Sequence, residues 1–506
     1  MKLLPIVFIT HCFIVTAQKS RSVNMDAIAI KHAVTSFKEF YDMLSLPNDA
    51  HYLDDIEKNV QWCEAAFAKR NFTSKRLNTA TVPLLLAERK VKKPVKTTKT
   101  VLIYLQIDGQ PVNPAQWNQE SPWKPTLKEK DAQGTWNPIP YERLFEGYDS
   151  DWRIFARAAS DAKGPAAAFL ASLDALDELK REPTFNIKVI MDFEEELGSP
   201  NLPGAVEKYR SDLAADMFII FDGPRHISNQ PTLSFGARGI CTITLTVFGP
   251  RNPAHSGNYG NFTPNPALRL AQLLASMKDD EGRVLIPGFN DGVVLTAEEK
   301  KILSQVPDDE QQIKKFLGIA ERDKVGDNFQ ESIQYPTLNI RGLNALYVGS
   351  EARTLIPDKA VAEIDIRLVP SSDAERLIGL VRRHVESKGY YIIDRTPTEE
   401  ERLTYPRIAS FTSSVAYGPF QTPFNSEAGL WLSRAMVKAF GKEPVKIRMT
   451  GGSIPISPFV TTLGIPAVSV PTVNPDNNQH AENENIRVGN YVDAVKTFLA
   501  ILMEPL

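Results

Sequence analysis

The chain has 506 residues, 42% hydrophobic and 24% charged, with a formal net charge of −3. That length implies two or three domains, and that composition excludes a mostly disordered chain and a multi-span membrane protein. With no basic excess, nucleic acid and anionic membrane surfaces are not expected as main partners.

Residues 1–17 read MKLLPIVFITHCFIVTA: Lys2, then an apolar run, then the small pair Thr16-Ala17. This is the pattern of a secretory signal cleaved after Ala17, and it predicts export to the periplasm or the extracellular space. The run is short of the ~20 residues a span needs, so no membrane anchor is expected after cleavage. Cleavage leaves Cys63 and Cys241, which are read as buried thiols, with one disulfide between them as the alternative.

Apolar residues at helical spacing predict helices over 26–44 and 53–69. A strand follows at 82–87, then a solvated basic turn at 90–99. The apolar strand 101–105 delivers Gln106-Ile107-Asp108-Gly109. Residues 111–150, rich in Pro, Trp and Asn, read as a long surface excursion. An Ala-rich helix (162–179) and a strand (186–193) come next, the strand running into Glu194-Glu195-Glu196. Another strand (217–221) ends in Asp222. Alternating strands and helices argue for a mostly parallel α/β sheet, which gathers its chemistry at the carboxyl ends of its strands.

The texture changes near 239. An amphipathic strand (240–248), a helix (266–277), a charged helical stretch (296–324), strands at 337–341 and 360–368, a helix (373–388) and a strand (389–393) follow. This β-α-β-β-α-β order predicts an inserted α+β, ferredoxin-like domain. The α/β pattern resumes with a helix at 426–440 and a strand at 467–470. The expected organisation is a signal (1–17), a split catalytic domain (18–238 and 426–506) and the insert (239–425).

Asp108, Asp161, Glu195, Glu196 and Asp222 are thus expected at one sheet edge, with His480 beyond the 467–470 strand. Gathered carboxylates repel unless they are protonated or hold cations. One divalent metal, or two sharing a carboxylate, resolves this, and a nearby Glu that is not a ligand can take a proton from water.

The quoted segments carry a resemblance. Tyr104–Asp108, Ser160–Pro165, Glu194–Ser199, Ala254–Gly257, Arg367–Pro370, Gly451–Pro455 and His480 with Asn483-Glu484 stand in an order that is similar to the co-catalytic zinc exopeptidases. That family includes carnosinase-like dipeptidases, aminoacylases and glutamate carboxypeptidases. The resemblance implies two zinc ions per subunit, with Asp161 bridging them, Glu196, Asp222 and His480 as further ligands, and Glu195 as general base. It implies that Asp108 orients ligands from behind them, and that the insert makes a homodimer or lid. It also implies that His255 crosses to the partner's site to steady an oxyanion, and that Thr354, Arg367 and Ser453 hold the substrate. Gln106 stands where the family has a metal-binding His, so the site of Gln106, Asp161 and Asp222 is all oxygen and suits Mn²⁺ or Mg²⁺, or is weakly occupied. The site of Asp161, Glu196 and His480 remains a good zinc set. His226 reads as a surface-loop His, with replacement of the missing imidazole as the alternative. Met449-Thr450 replaces the Arg-Glu often found before Gly451.

The expected function is an exported metallopeptidase that hydrolyses dipeptides or short peptides. The alternatives are an amidohydrolase of N-acyl amino acids and a decayed peptide-binding homologue, the latter motivated by Gln106 alone.

Overall fold

The computed structural model describes residues 24–452 and 454–506; the expected signal and Ser453 lie outside the described residues. Among the described residues, no helix is long and apolar enough to cross a membrane.

The first half of the chain builds most of an eight-stranded sheet. Its order is Thr73–Leu77, Leu84–Arg89, Asn186–Asp192, Thr100–Gln106, Met217–Ile220, Ala467–Ser469, Thr232–Ser234 and Val445–Ile447. The four strands from Asn186–Asp192 to Ala467–Ser469 run parallel, and the two before them are antiparallel. Strand Thr100–Gln106 is buried from Val101 onward, as expected for a continuous apolar run covered on both faces. Helices Met25–Leu44, Lys163–Glu178, Glu427–Phe440 and Val488–Met503 pack together over one core. The alanines of Lys163–Glu178 let it lie close to its neighbours, so nearly every residue of that helix is buried. Helices Leu202–Lys208 and Ser457–Leu463 cover the other face.

The insert is a five-stranded sheet ordered Asn339–Asn344, Lys359–Leu368, Gly239–Phe248, Ile408–Tyr417, Tyr391–Ile393. The first four strands are antiparallel, and Tyr391–Ile393 adds a short parallel edge. Strand Gly239–Phe248 alternates strictly between buried and half-buried residues. Its buried side carries Cys241, Ile243, Leu245 and Val247 against helices Pro266–Ala275 and Ala374–Ser387. The arrangement is ferredoxin-like, as expected, but its fourth antiparallel strand is Ile408–Tyr417, and the expected 389–393 strand is only the added parallel edge.

Two further stretches differ from expectation. The charged stretch 296–324 is two helices, Ala297–Ser304 and Glu310–Leu317, rather than one. Pro307 disfavours helical geometry at the residue before it, and Asp309 then caps the second helix through Gln311 N and Gln312 N. The 111–150 excursion is not irregular throughout. Strands Thr126–Lys130 and Trp136–Pro138 join Arg153–Phe155 and Asn485–Arg487 in a small antiparallel sheet. Cys63 and Cys241 are both buried and free.

Candidate metal centre and active site

The candidate residues stand at the carboxyl ends of the parallel strands. Gln106 closes Thr100–Gln106, and Asp108 lies two residues on. The Glu194–Glu196 turn follows Asn186–Asp192, and Asp222 follows Met217–Ile220. His480 sits in the loop beyond Ala467–Ser469, and Asp161 just precedes helix Lys163–Glu178.

Hydrogen bonds fix each of these segments. The buried Asp108 carboxylate accepts from Glu195 N at 3.1 Å and Glu196 N at 3.0 Å, pinning both glutamates by their backbone. Glu194 ties the same turn outward, accepting from Thr81 Oγ1 and Asn201 Nδ2. The fully buried Glu484 carboxylate accepts from Ala158 N, Ser160 N and Asp161 N, all at 2.9–3.0 Å. It also pairs with Arg157 Nη1 at 2.8 Å, and Arg157 Nη2 donates to Ala481 O beside His480. One buried ion pair thereby joins the segment holding Asp161 to the loop holding His480.

His480 Nε2 lies 3.0 Å from Asp161 Oδ2 and 3.4 Å from Glu196 Oε2. The donor atoms of Asp161, Glu196 and His480 all fall within 4.8 Å of one another. Gln106, Asp161, Glu195, Asp222, His480 and Thr450 line one cavity of about 380 Å³.

The electrostatics of this cluster are those of a site built for cations. Burial, then the neighbouring Asp161, pushes Glu196 up to about 8 and Asp222 up to about 7. Burial, then Asp222, raises Glu195 well above the ordinary carboxylate range. The contact with Asp161, then the charge of Glu196, lifts His480 to about 9. Asp161 Oδ2 is buried with no aligned hydrogen-bond donor beyond its ion pair with His480, which leaves lone pairs free for a cation. Two carboxylates and an imidazole converging on a point are a fitting zinc set. Gln106 and Asp222 beside Asp161 offer oxygen only, which fits a harder divalent ion.

Comparison with known proteins bears on the fold and the kind of activity. Residues 235–391 match the peptidase dimerisation domain, the insert of the fold. The Cys-Gly metallodipeptidase dug1 of Schizosaccharomyces pombe is 27% identical over 416 residues, 80% of each chain. The human Beta-Ala-His dipeptidase is 28% identical over 363 residues, 70% of this chain and 69% of the relative. The solved structure of the M20 family metallo-carboxypeptidase Sso-CP2 from Sulfolobus solfataricus superposes with a TM-score of 0.73 at 28% identity. That likeness covers 92% of this chain and 98% of the other.

The chain carries the peptidase dimerisation domain and resembles an M20 family metallopeptidase over nearly its whole length. Like these relatives, it is a hydrolase of the metallopeptidase type. In this chain three expected site residues lie away from the cavity. His255 is exposed on the short strand Ala254–His255, its Nδ1 accepting from Gly257 N at 3.1 Å. Thr354, also exposed, neighbours it through Ser256 N donating to Thr354 O. Arg367 is half-buried near the end of strand Lys359–Leu368. None of the three lines the 380 Å³ cavity of a single chain.

The expectations for His226 need correction. It is neither a surface residue nor a replacement ligand: it is buried, with Nε2 2.9 Å from Asp308 Oδ1 and Nδ1 2.9 Å from Ser228 Oγ. Both ring nitrogens are thus engaged outside the cavity. Sequence reasoning gave no role to Glu484, Arg157 or Gln110, the last of which donates to Glu196 Oε2 at 2.7 Å. Glu484 enters only as part of the segment that carries the resemblance, without a role of its own; its place four residues after His480 is the signal that marks it.

Proposed function

We propose that this chain is an exported, homodimeric metallopeptidase that cleaves dipeptides or short peptides. The observation that carries the reading is the convergence of Asp161, Glu196 and His480, with Glu195, Asp222 and Gln106 in the same cavity. The curated relatives are named as dipeptidases, and this chain spans most of their length.

Divalent cations held there, zinc by Asp161, Glu196 and His480 and a harder ion by Gln106, Asp161 and Asp222, would supply Lewis acidity to the scissile carbonyl and to water. Glu195 is the general base. Its raised affinity for a proton suits it to take one from the attacking water and to pass it to the leaving nitrogen. Asp108 keeps Glu195 and Glu196 in register through their backbone N–H groups. His255 is exposed and oriented by the Gly257 N–H; from the partner subunit's insert, it donates to the developing oxyanion. Thr354, Arg367 and Ser453 hold the peptide's carboxylate or backbone, Arg367 by the fork of its guanidinium. The dimer forms through the matched dimerisation domain, whose strand Asn339–Asn344 lies at the outer edge of its sheet. Export rests on residues 1–17, and amino-terminal sequencing of the mature protein from the periplasm or medium should begin after Ala17.

Glu195→Gln tests the base. Turnover of a dipeptide should fall by about 10²–10⁴, the range for losing a general base, with metal content unchanged. Unchanged turnover would remove Glu195 from the chemistry.

A further inference from the structure

Arg238 stands where the chain passes from the catalytic half into the insert, between strands Gly236–Ala237 and Gly239–Phe248. It is only 5% exposed. The other buried arginines each have a carboxylate: Arg70 has Glu39 and Asp174, Arg89 has Asp177, Arg157 has Glu484 and Arg225 has Asp493. Arg238 differs. Its Nε donates to Ile333 O at 3.0 Å, and among the described residues its two Nη groups have no hydrogen bond and no carboxylate within ion-pair distance. A guanidinium stays charged at any working pH, so burying it without an anion is costly.

The other basic groups of the surroundings are paired with acids, so among the described residues there Arg238 is the cation left without one. Arg238 lines a cavity of about 430 Å³ with Lys278, Arg283, Lys324, Tyr335 and one acid, Asp323. Lys324 is taken up by Glu281 at 2.6 Å, Arg283 also pairs with Glu281, and Lys278 lies 3.9 Å from Asp323. Arg367 stands close behind, its backbone N–H donating to Oγ1 of Thr337, another wall residue. Burial, then the charge of Arg367, brings the pKa of Arg238 down to about 10. This cavity shares no lining residue with the hydrolytic one, yet Ala237 bridges to Thr450 on the wall of the latter.

We propose that Arg238 and this cavity form an oxyanion subsite, taking a carboxylate or phosphate group at the junction of the catalytic half and the insert. The free Nη pair supplies the fork that a planar or tetrahedral oxyanion fits. The anion is either free in solution or the terminal carboxylate of a peptide; the second source rests on the dipeptidase reading, and the first does not.

The test compares the metal-loaded wild type with Arg238→Gln and Arg238→Lys. Inorganic phosphate is titrated by calorimetry, and dipeptide hydrolysis is followed in parallel. Phosphate on the metals is common to all three proteins. The subsite predicts one further phosphate per wild-type chain, lost in Arg238→Gln and weakened in Arg238→Lys. If the subsite serves the substrate, KM rises about tenfold or more in Arg238→Gln, kcat changes little, and Arg238→Lys recovers part of the loss. Lost phosphate binding with an unchanged KM assigns the site to a free anion. Equal phosphate stoichiometry and equal KM in the folded variants overturn the proposal. Should Arg238→Gln not fold, Arg238→Lys decides, because it keeps the charge and loses the fork. A wild type that hydrolyses no dipeptide counts against the dipeptidase reading alone, since the phosphate titration still decides the subsite.

Discussion

At the scale of single residues, the site depends on carboxylates that do different work in one small volume. Glu484 touches no substrate, yet it accepts three backbone N–H groups around Asp161 and pairs with Arg157. Breaking a buried pair of this kind costs about 3–5 kcal/mol, because the remaining charge loses its partner. Glu484→Gln should therefore lower the unfolding free energy by an amount in that range and weaken metal retention against a chelator. A variant as stable as the wild type, with equal metal retention, would contradict the hub. Gln106 makes the opposite prediction. Imidazole is a better zinc ligand than a neutral amide oxygen, so Gln106→His should raise zinc affinity at the second site by tenfold or more in a competition titration. Unchanged affinity would show that Gln106 is not at a metal position.

At the scale of elements, the insert decides assembly. Strand Asn339–Asn344 is an edge, and Leu343 is 61% exposed on it, followed by the exposed Tyr347 and Val348. Exposed apolar edges invite pairing with another chain. Leu343→Asp should give a monomer by analytical ultracentrifugation, folded by circular dichroism, with turnover as low as that of His255→Ala, about 10²–10³ below wild type. A fully active monomer would exclude catalysis across the dimer. Which elements were legible in the sequence follows from their patterning. Strand Thr100–Gln106 and helix Lys163–Glu178 carry continuous apolar or alanine-rich runs, and the structure places both within a residue or two of expectation. Strand Ile408–Tyr417 went unread because its second half, rich in Ser and small residues, is exposed and carries no apolar alternation. Helix Val488–Met503 went unread for the opposite reason: it is buried nearly all round, so it shows no amphipathic stripe. The metal residues were legible because each follows a readable strand. Glu484 and Arg238 were not, since their roles depend on partners far away in sequence.

At the scale of the whole molecule, the cavity links stability to cations and to pH. In the metal-free fold Glu196 holds its proton up to about 8 against an ordinary 4.5, and Asp222 up to about 7 against 3.8. His480 holds its proton up to about 9 against 6.5. Across these windows the folded state binds more protons than the unfolded state, so stability falls as pH rises. The metal-stripped protein should therefore melt several degrees lower at pH 8 than at pH 5. Divalent cations should restore more of the melting temperature at pH 8, where they need not displace as many protons. A melting temperature that rises with pH in the stripped protein would contradict this account of the cavity. The most direct test of the central claim is metal content together with dipeptide hydrolysis on one preparation, dialysed and then reconstituted with Zn²⁺, Mn²⁺ or Mg²⁺. The account predicts two metals per chain and turnover of at least part of a mixed dipeptide panel. At most one tightly held metal, with no hydrolysis under any ion, would contradict it.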